Sequence, residues 1–283
     1  MIVRKTLFLW IVLLFGLQSL YATPLAEQFK QFGYVEICDK KHEEATFNSL
    51  YAKFDEFIEL LQTTPVWAQK LYSAKERFIR SKDRNYYSTD FFGLYDESKR
   101  EGRSQISFYY STHFHEFIFS FYPEFKKVPE ITRFFEACYE IQKPYGELFE
   151  EVTAELGLET IFSSKYGHPP ILFKVMKYLP SYITPKPHYD GTAFSLFLNS
   201  TDDRSLLLSP YKSSFTVDDF YSPLRQNSIL LIPGALLTEF SIYPTPHIVL
   251  QSGKIRYAAI AFAMRPNYTP QKTQYSPLPN FKP

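Results

Sequence analysis

His188 and Asp190 stand two residues apart in PKPHYDGTAFSLFLN, a run otherwise apolar and rich in strand-forming residues. On a strand, side chains at i and i+2 point to the same face. The spacing therefore predicts an imidazole and a carboxylate projecting together, two ligands of a facial metal site. The third ligand has to come from another strand. Only one histidine follows Asp190, namely His247 in PTPHIVL, 57 residues further on. That distance leaves room for several short strands to run across and return.

Two imidazoles and one carboxylate with open positions opposite them form the donor set of non-haem Fe(II) sites. After His247 the chain reads HIVLQSGKIRYAAIAFAMRP, which predicts a strand, a turn at QSGK and a second strand. Such a hairpin would bring Arg256 back to the level of His247. A guanidinium in an apolar interior needs an anion, and it fits a carboxylate with two parallel hydrogen bonds. Arg256 is thus a candidate anchor for an anionic co-substrate whose other end reaches the metal.

The elements that must position these residues change character along the chain. TPLAEQFKQFG predicts a helix stopped by Gly33, and YVEIC a short strand. TFNSLYAKFDEFIELLQTT and VWAQKLYSAKERFIRS have apolar residues at helical spacing. VPEITRFFEACYEIQKPYGELFEEVTAELGL predicts a long amphipathic helix broken or kinked at Pro144. Beyond it lie the short apolar runs ILFKVMKYL, AFSLFLN, SLLLSP, SFTVDD, SILLIPG, LTEFSI, PHIVL and IRYAAIAFAM, separated by Pro, Gly, Asn and Ser. Strands this short and close, with no helices between them, predict a sandwich or barrel rather than a parallel sheet. The fold class is therefore α+β, with helices packed on a double-sheet β core.

The chain has 283 residues, a net charge of +1, and 45% apolar residues including 28 Phe and 22 Tyr. That supplies a sizeable core and argues against a protein that binds nucleic acid through a basic face. The N-terminus MIVRKTLFLWIVLLFGLQSLYATPLAEQ carries Arg4 and Lys5, a short apolar run and a small residue, Ala22, at a cleavage point. This is the pattern of a signal peptide over residues 1–22, and the apolar run is short for a membrane span. The expectation is an exported protein, periplasmic or extracellular. No repeat or low-complexity block appears, and residues 269–283 read as a Pro-rich tail. Cys38 and Cys138 are more readily plain thiols than a disulfide.

Four positions in order, HxD, then His, then Arg nine residues later, resemble the 2-oxoglutarate/Fe(II)-dependent dioxygenases of the isopenicillin N synthase-like type. LAEQFKQFGYVEI resembles their opening helix and strand. The long amphipathic stretch, VMKYLP, SILLIPGALLTEFS and RYAAIAFAMRP follow in the family's order. The resemblance implies a helical region over 23–160 and a double-stranded β-helix, or jelly roll, over 161–268. It implies Fe(II) held by His188, Asp190 and His247, with 2-oxoglutarate and O2 as co-substrates and Arg256 binding the distal carboxylate. The implied reaction oxidises a small molecule or polypeptide while 2-oxoglutarate becomes succinate, in a monomeric enzyme. Two positions depart from the pattern. Ala258 stands where the family has a serine on the co-substrate carboxylate, a loss of about 1–3 kcal/mol unless another group replaces it. In place of an N-x-Y-P segment the chain has KYLP, with Lys177 and Leu179 at the two polar positions and Tyr178 or Lys177 as the candidate substitute.

Other readings stay open. His188 and Asp190 alone fit a structural hydrogen bond. His113 and His115 in STHFHEF would share a face on a strand, with Glu116 adjacent, but no third spaced ligand is evident. His42 reads as a surface residue and His168 as a loop residue. Gly191 and Gly234 read as turn residues, and NST at 199–201 matches a glycosylation acceptor. The chain could also be a degenerate member of the fold that binds a ligand or partner without turnover, or an exported interaction protein with an aromatic surface.

Overall fold

Helix α1 (Leu25–Phe32) ends where Gly33 takes a left-handed φ of 78° and returns its N–H to the Phe29 carbonyl. Only glycine adopts that backbone without strain, and it turns the chain directly into strand β1 (Val35–Cys38). The computed structural model describes residues 24–38, 44–81, 87, 89–98, 104–159, 170–182, 186–223 and 228–265. The leader at 1–22, the tail at 269–283, His42 and His168 lie outside the described residues.

Helices α2 (Glu44–Thr63), α3 (Pro65–Ser81), α4 (Thr112–Phe121), α5 (Pro129–Gln142) and α6 (Tyr145–Glu155) make up the rest of the helical layer. The long amphipathic stretch is broken between α5 and α6 at Pro144, as its sequence requires. Strands β2 (Gly93–Asp96), β3 (Gln105–Tyr110), β4 (Ile171–Tyr178), β5 (Phe194–Ser200), β6 (Leu206–Leu208), β7 (Ser228–Pro233), β8 (His247–Val249) and β9 (Arg256–Ala263) complete the described elements. Seven strands form one antiparallel sheet in the order β1-β7-β5-β9-β4-β3-β2. The pair β6-β8 faces it, extended by single bridges from His188 to His247 and from Leu208 to Tyr221. This is a double-stranded β-helix whose second sheet is short.

Three strands of the 23–160 region, β1, β2 and β3, belong to the large sheet. One buried apolar cluster runs through helices and strands from both regions. The phenylalanines account for much of it. Phe54 and Phe57 of α2 stack on Phe134 of α5 at 5.2 and 4.7 Å, and Phe108 of β3 meets Phe134 edge-on at 5.1 Å. Most of the aromatic content is therefore core between the helices and the outer face of the sheet, which argues against an aromatic interaction surface.

Two sequence expectations fail. LTEFSI and SFTVDD are not strands: residues Ala235–Phe240 and Val217–Asp219 form 3-10 turns. In the first, the Ala235 and Leu236 N–H groups donate to the carbonyls of Asp190 and Thr192, so the backbone is satisfied by a loop and not by a ladder. Cys138 is a buried free thiol on α5, so the two cysteines are not bridged.

Candidate metal and co-substrate centre

His188 and His247 are brought together by the backbone itself. Each donates its N–H to the other's carbonyl, at 3.0 and 2.8 Å, and their rings lie 4.3 Å apart. The pairing bridges the segment before β5 to β8. Asp190 is not on a strand. It sits in the turn leading into β5, two residues past the bridge, and the carbonyl bond from Ala235 fixes that turn. One ligand atom from each of His188, Asp190 and His247 lies within 4.8 Å of the others, the one such cluster among the described residues.

Hydrogen bonds orient all three. His247, 2% exposed, has Nδ1 at 3.1 Å from the Thr245 carbonyl, and His188 has Nδ1 at 3.4 Å from the Lys186 carbonyl. A carbonyl only accepts, so both rings carry their proton on Nδ1 and leave Nε2 free as a ligand. Ser195 on β5 donates to Asp190 Oδ2 at 2.5 Å, and Thr192 lies 3.1 Å from the same hydroxyl. The other carboxylate oxygen, Oδ1, is 3.8 Å from His247 Nε2. The His188 residue meets solvent at the rim, yet protein crowds its ring. That loss of water, reinforced by His247, pushes its pKa down to about 4. Two imidazoles and an oriented carboxylate are the donor set that Fe(II) takes, so the residues present fit the metal.

Arg256 reaches the cleft by a route the sequence does not suggest. β8 pairs with β6, whereas β9 pairs with β4 and β5, so His247 and Arg256 are not on one hairpin. The QSGK segment instead crosses from the short sheet to the long one. The two meet across a narrow cleft lined by Tyr178, Phe197, Ser200, Ser205, Val249 and Arg256, among others. Phe197 also touches His247 edge-on at 5.6 Å and so joins the cleft to the metal cluster. Arg256 is 3% exposed and its guanidinium lies 3.9 Å over the Tyr178 ring. Nη1 donates to Ser205 Oγ at 2.7 Å and Nη2 to the Leu250 carbonyl at 2.5 Å. Its Nε is buried without a partner. A buried guanidinium with an orphaned donor at the end of a cleft suits a carboxylate.

The departures from the family pattern resolve in space. Lys177 points away from the cleft to Asp55 on α2, at 2.8 Å, and Leu179 is a backbone partner of Ser104. The cleft face of β4 carries Met176 and Tyr178, linked by a Tyr178 hydroxyl contact to Met176 Sδ at 3.3 Å. Tyr178 thus lies in the cleft, and Lys177 does not. The hydroxyl missing at Ala258 has two neighbours in its place. Ser200 is its cross-strand partner, and Ser205 accepts from Arg256. Neither serine stands at a family spacing, so no sequence signal marks them.

The rival histidines separate. They lie on α4, where residues two apart point to different sides. His113 pairs with the Tyr87 hydroxyl at 3.1 Å and His115 with that of Tyr110 at 3.0 Å. Gly234 is more than a turn residue: a Cβ there would lie 2.1 Å from the Thr192 carbonyl oxygen, beside Asp190. Asn199 lies in β5 with its amide oxygen accepting from Tyr51, not in a surface loop suited to glycosylation.

The chain is thus a double-stranded β-helix that carries a histidine–aspartate–histidine cluster and, lining a neighbouring cleft, a buried arginine. Solved structures agree on the fold. JOX2, in complex with 2OG, Fe and JA, matches at a TM-score of 0.55 and 16% identity over 89% of this chain and 74% of its own. The auxin dioxygenase DAO1 of Arabidopsis thaliana, with 2-oxoglutarate, matches at 0.55 and 14% over 89% and 91%. A 2OG-Fe(II) oxygenase family protein of Caulobacter crescentus matches at 0.52 and 14% over 90% and 88%. No family model and no curated protein matches the sequence.

Proposed function

We propose that this chain is an Fe(II)- and 2-oxoglutarate-dependent oxygenase that oxidises an organic substrate while 2-oxoglutarate is decarboxylated to succinate. The observation that carries the reading is the oriented His188–Asp190–His247 cluster, joined through Phe197 to a cleft that Arg256 lines. Bound Fe(II) would supply the O2 activation and electron transfer that no side chain provides. The chain's own residues do the rest. Thr245 and Lys186 present two neutral Nε2 atoms, and Ser195 turns Asp190 toward the same point. Arg256, held on the Tyr178 ring and by Ser205, takes the distal carboxylate of the 2-oxoacid and sets its reach toward the metal. Phe197 and Ile260 line the path between and keep it dry.

The non-catalytic alternative has nothing specific in its favour, since a fold without turnover has no need of three ligands oriented by separate hydrogen bonds. The N-terminal sequence supports export, and no helix among the described residues is long and apolar enough to cross a membrane. JOX2 holds JA, and DAO1 is named for the oxidation of auxin; both support a small organic substrate here.

The test is an anaerobic titration of the purified protein with Fe(II) and 2-oxoglutarate, following the visible charge-transfer band of the chelate. The expected result is a band in wild type that His247→Ala removes. Tight Fe(II) binding with no band would reject 2-oxoglutarate as co-substrate, and no metal binding would reject the enzyme.

A further inference from the structure

Two tyrosines stand outside the aromatic core. Tyr211 and Tyr243 stack ring on ring at 4.8 Å and 13°, yet they are 47% and 53% exposed. They come from separate loops, one after β6 and one between the Ala235–Phe240 turn and β8. Phe215 meets Tyr211 edge-on at 6.3 Å and packs with Tyr189, the residue between His188 and Asp190. The result is a tyrosine shelf on the flank of the segment that carries two residues of the metal cluster. Aromatic rings fixed in place with this much surface open are suited to an apolar partner.

The chain leaves β9 beside this shelf. Arg265 pairs with Glu239, lies 5.1 Å over the Phe240 ring and donates from Nη1 to the Leu236 carbonyl at 3.4 Å. Those three partners belong to the turn that leads into Tyr243. Tyr243 is three residues past Phe240, a span of at most about 11 Å. The next residues in the sequence, 266–283, include five prolines, Tyr268, Tyr275 and Phe281. Proline-rich chain advances about 3.1 Å per residue as a polyproline II helix, so four residues cover the distance. Such chain suits aromatic surfaces because it is already extended and loses little entropy on docking. The charges agree as well. Residues 266–283 carry Lys272 and Lys282 and no acid, whereas the loop after Tyr211 carries Asp218 and Asp219 against Lys212.

We infer that residues 266–283 lie as a polyproline II strap across Tyr211 and Tyr243, with prolines against the rings. The strap covers the shelf of its own chain and flanks the His188–Asp190 segment. The inference uses neither the metal nor the co-substrate, so it stands apart from the oxygenase reading.

The test is limited trypsin digestion of the full-length protein, followed by mass spectrometry. Residues 266–283 offer one tryptic bond, after Lys272, because Arg265 and Lys282 each precede proline. Wild type is expected to be cut there at least about tenfold more slowly than the Tyr211→Ser, Tyr243→Ser double variant, since cleavage follows the undocked fraction. Both side chains are exposed, and an unchanged thermal melt shows that the variant folds. Replacing Pro270, Pro277 and Pro279 by Ala, with the shelf intact, should release Lys272 in the same way. Equal rates in wild type and the tyrosine variant overturn the inference. Fast cleavage in both leaves the shelf to an outside partner, and slow cleavage in both seats the strap elsewhere. Protection that fades as the protein is diluted also overturns it, by placing the strap on a second copy. Protection that survives the proline replacements overturns the polyproline mode of docking.

Discussion

Ser195 is the residue on which the metal cluster turns, although it is not a ligand. Its hydroxyl holds one oxygen of Asp190 and so decides where the other points. Removing such an outer partner lowers metal affinity by about 10- to 100-fold. Ser195→Ala is therefore expected to weaken Fe(II) binding in that range without unfolding the chain, as read from a metal titration beside a thermal melt. At the other end of the cleft, Ser205 stands in for the serine that the family resemblance leads one to expect at position 258. Ser205→Ala should weaken 2-oxoglutarate by about tenfold, the cost of a hydrogen bond to a charged group. Arg256→Lys should weaken it further, because an ammonium cannot serve Ser205, Leu250 and a carboxylate at once. Fe(II) affinity should be unchanged in both, which a titration without the 2-oxoacid would verify.

Elements position these residues through close backbone approach. The Ala235–Phe240 turn after β7 lies against the loop that carries Asp190, and Gly234 is where the two backbones come nearest. Gly234→Ala would drive its Cβ into the Thr192 carbonyl, with no flexible side chain to yield. The expected outcome is loss of Fe(II) binding out of proportion to the fall in melting temperature, because the displaced loop holds the ligand while the core lies elsewhere. The helical layer acts more gently. Asp55 of α2 accepts from both Lys177 and Tyr257, and Tyr51 stacks on Tyr257 at 5.0 Å. These contacts seat α2 on the outer face of the strands whose inner face carries Arg256 and Tyr178. Thr245 links α1 to the site directly: its hydroxyl donates to Gly33 at the helix end while its carbonyl orients His247.

At the scale of the whole molecule, stability rests on the aromatic core, and one titratable group within it sets a pH dependence. His115 packs on Phe119 and Phe135 at 4.6 and 5.1 Å, and burial pushes its pKa down to about 4 from 6.5. The unfolded chain takes up this proton below pH 6.5, whereas the folded chain resists until about pH 4. The contribution is thus fully present above pH 6.5 and is lost as pH falls toward 4. Denaturant midpoints measured from pH 7.5 to 4.5 should decline, and His115→Gln should flatten the decline by at most about 1.4 kcal/mol per pH unit, one proton's share. An unchanged slope in the variant would assign the pH dependence to other groups.

The sequence by itself singled out the three residues of the cluster and the class of fold. His188, Asp190 and His247 were legible because residue type and order carry the chemistry, and the helices and most strands because periodicity and Gly or Pro stops are local. Arg256 was singled out as a candidate anchor, but by way of a hairpin that does not exist. Which sheet a strand joins depends on non-local pairing, and nothing in QSGK says that the chain changes sheets there. The strands β2 and β3 went unread for the same reason, since a short strand is defined by what it pairs with. Ser195, Ser205 and Thr245 are ordinary residues at unremarkable spacings. Their roles come from groups that approach across the sheet, between sheets or from the far end of the chain, and only the tertiary structure decides such approaches.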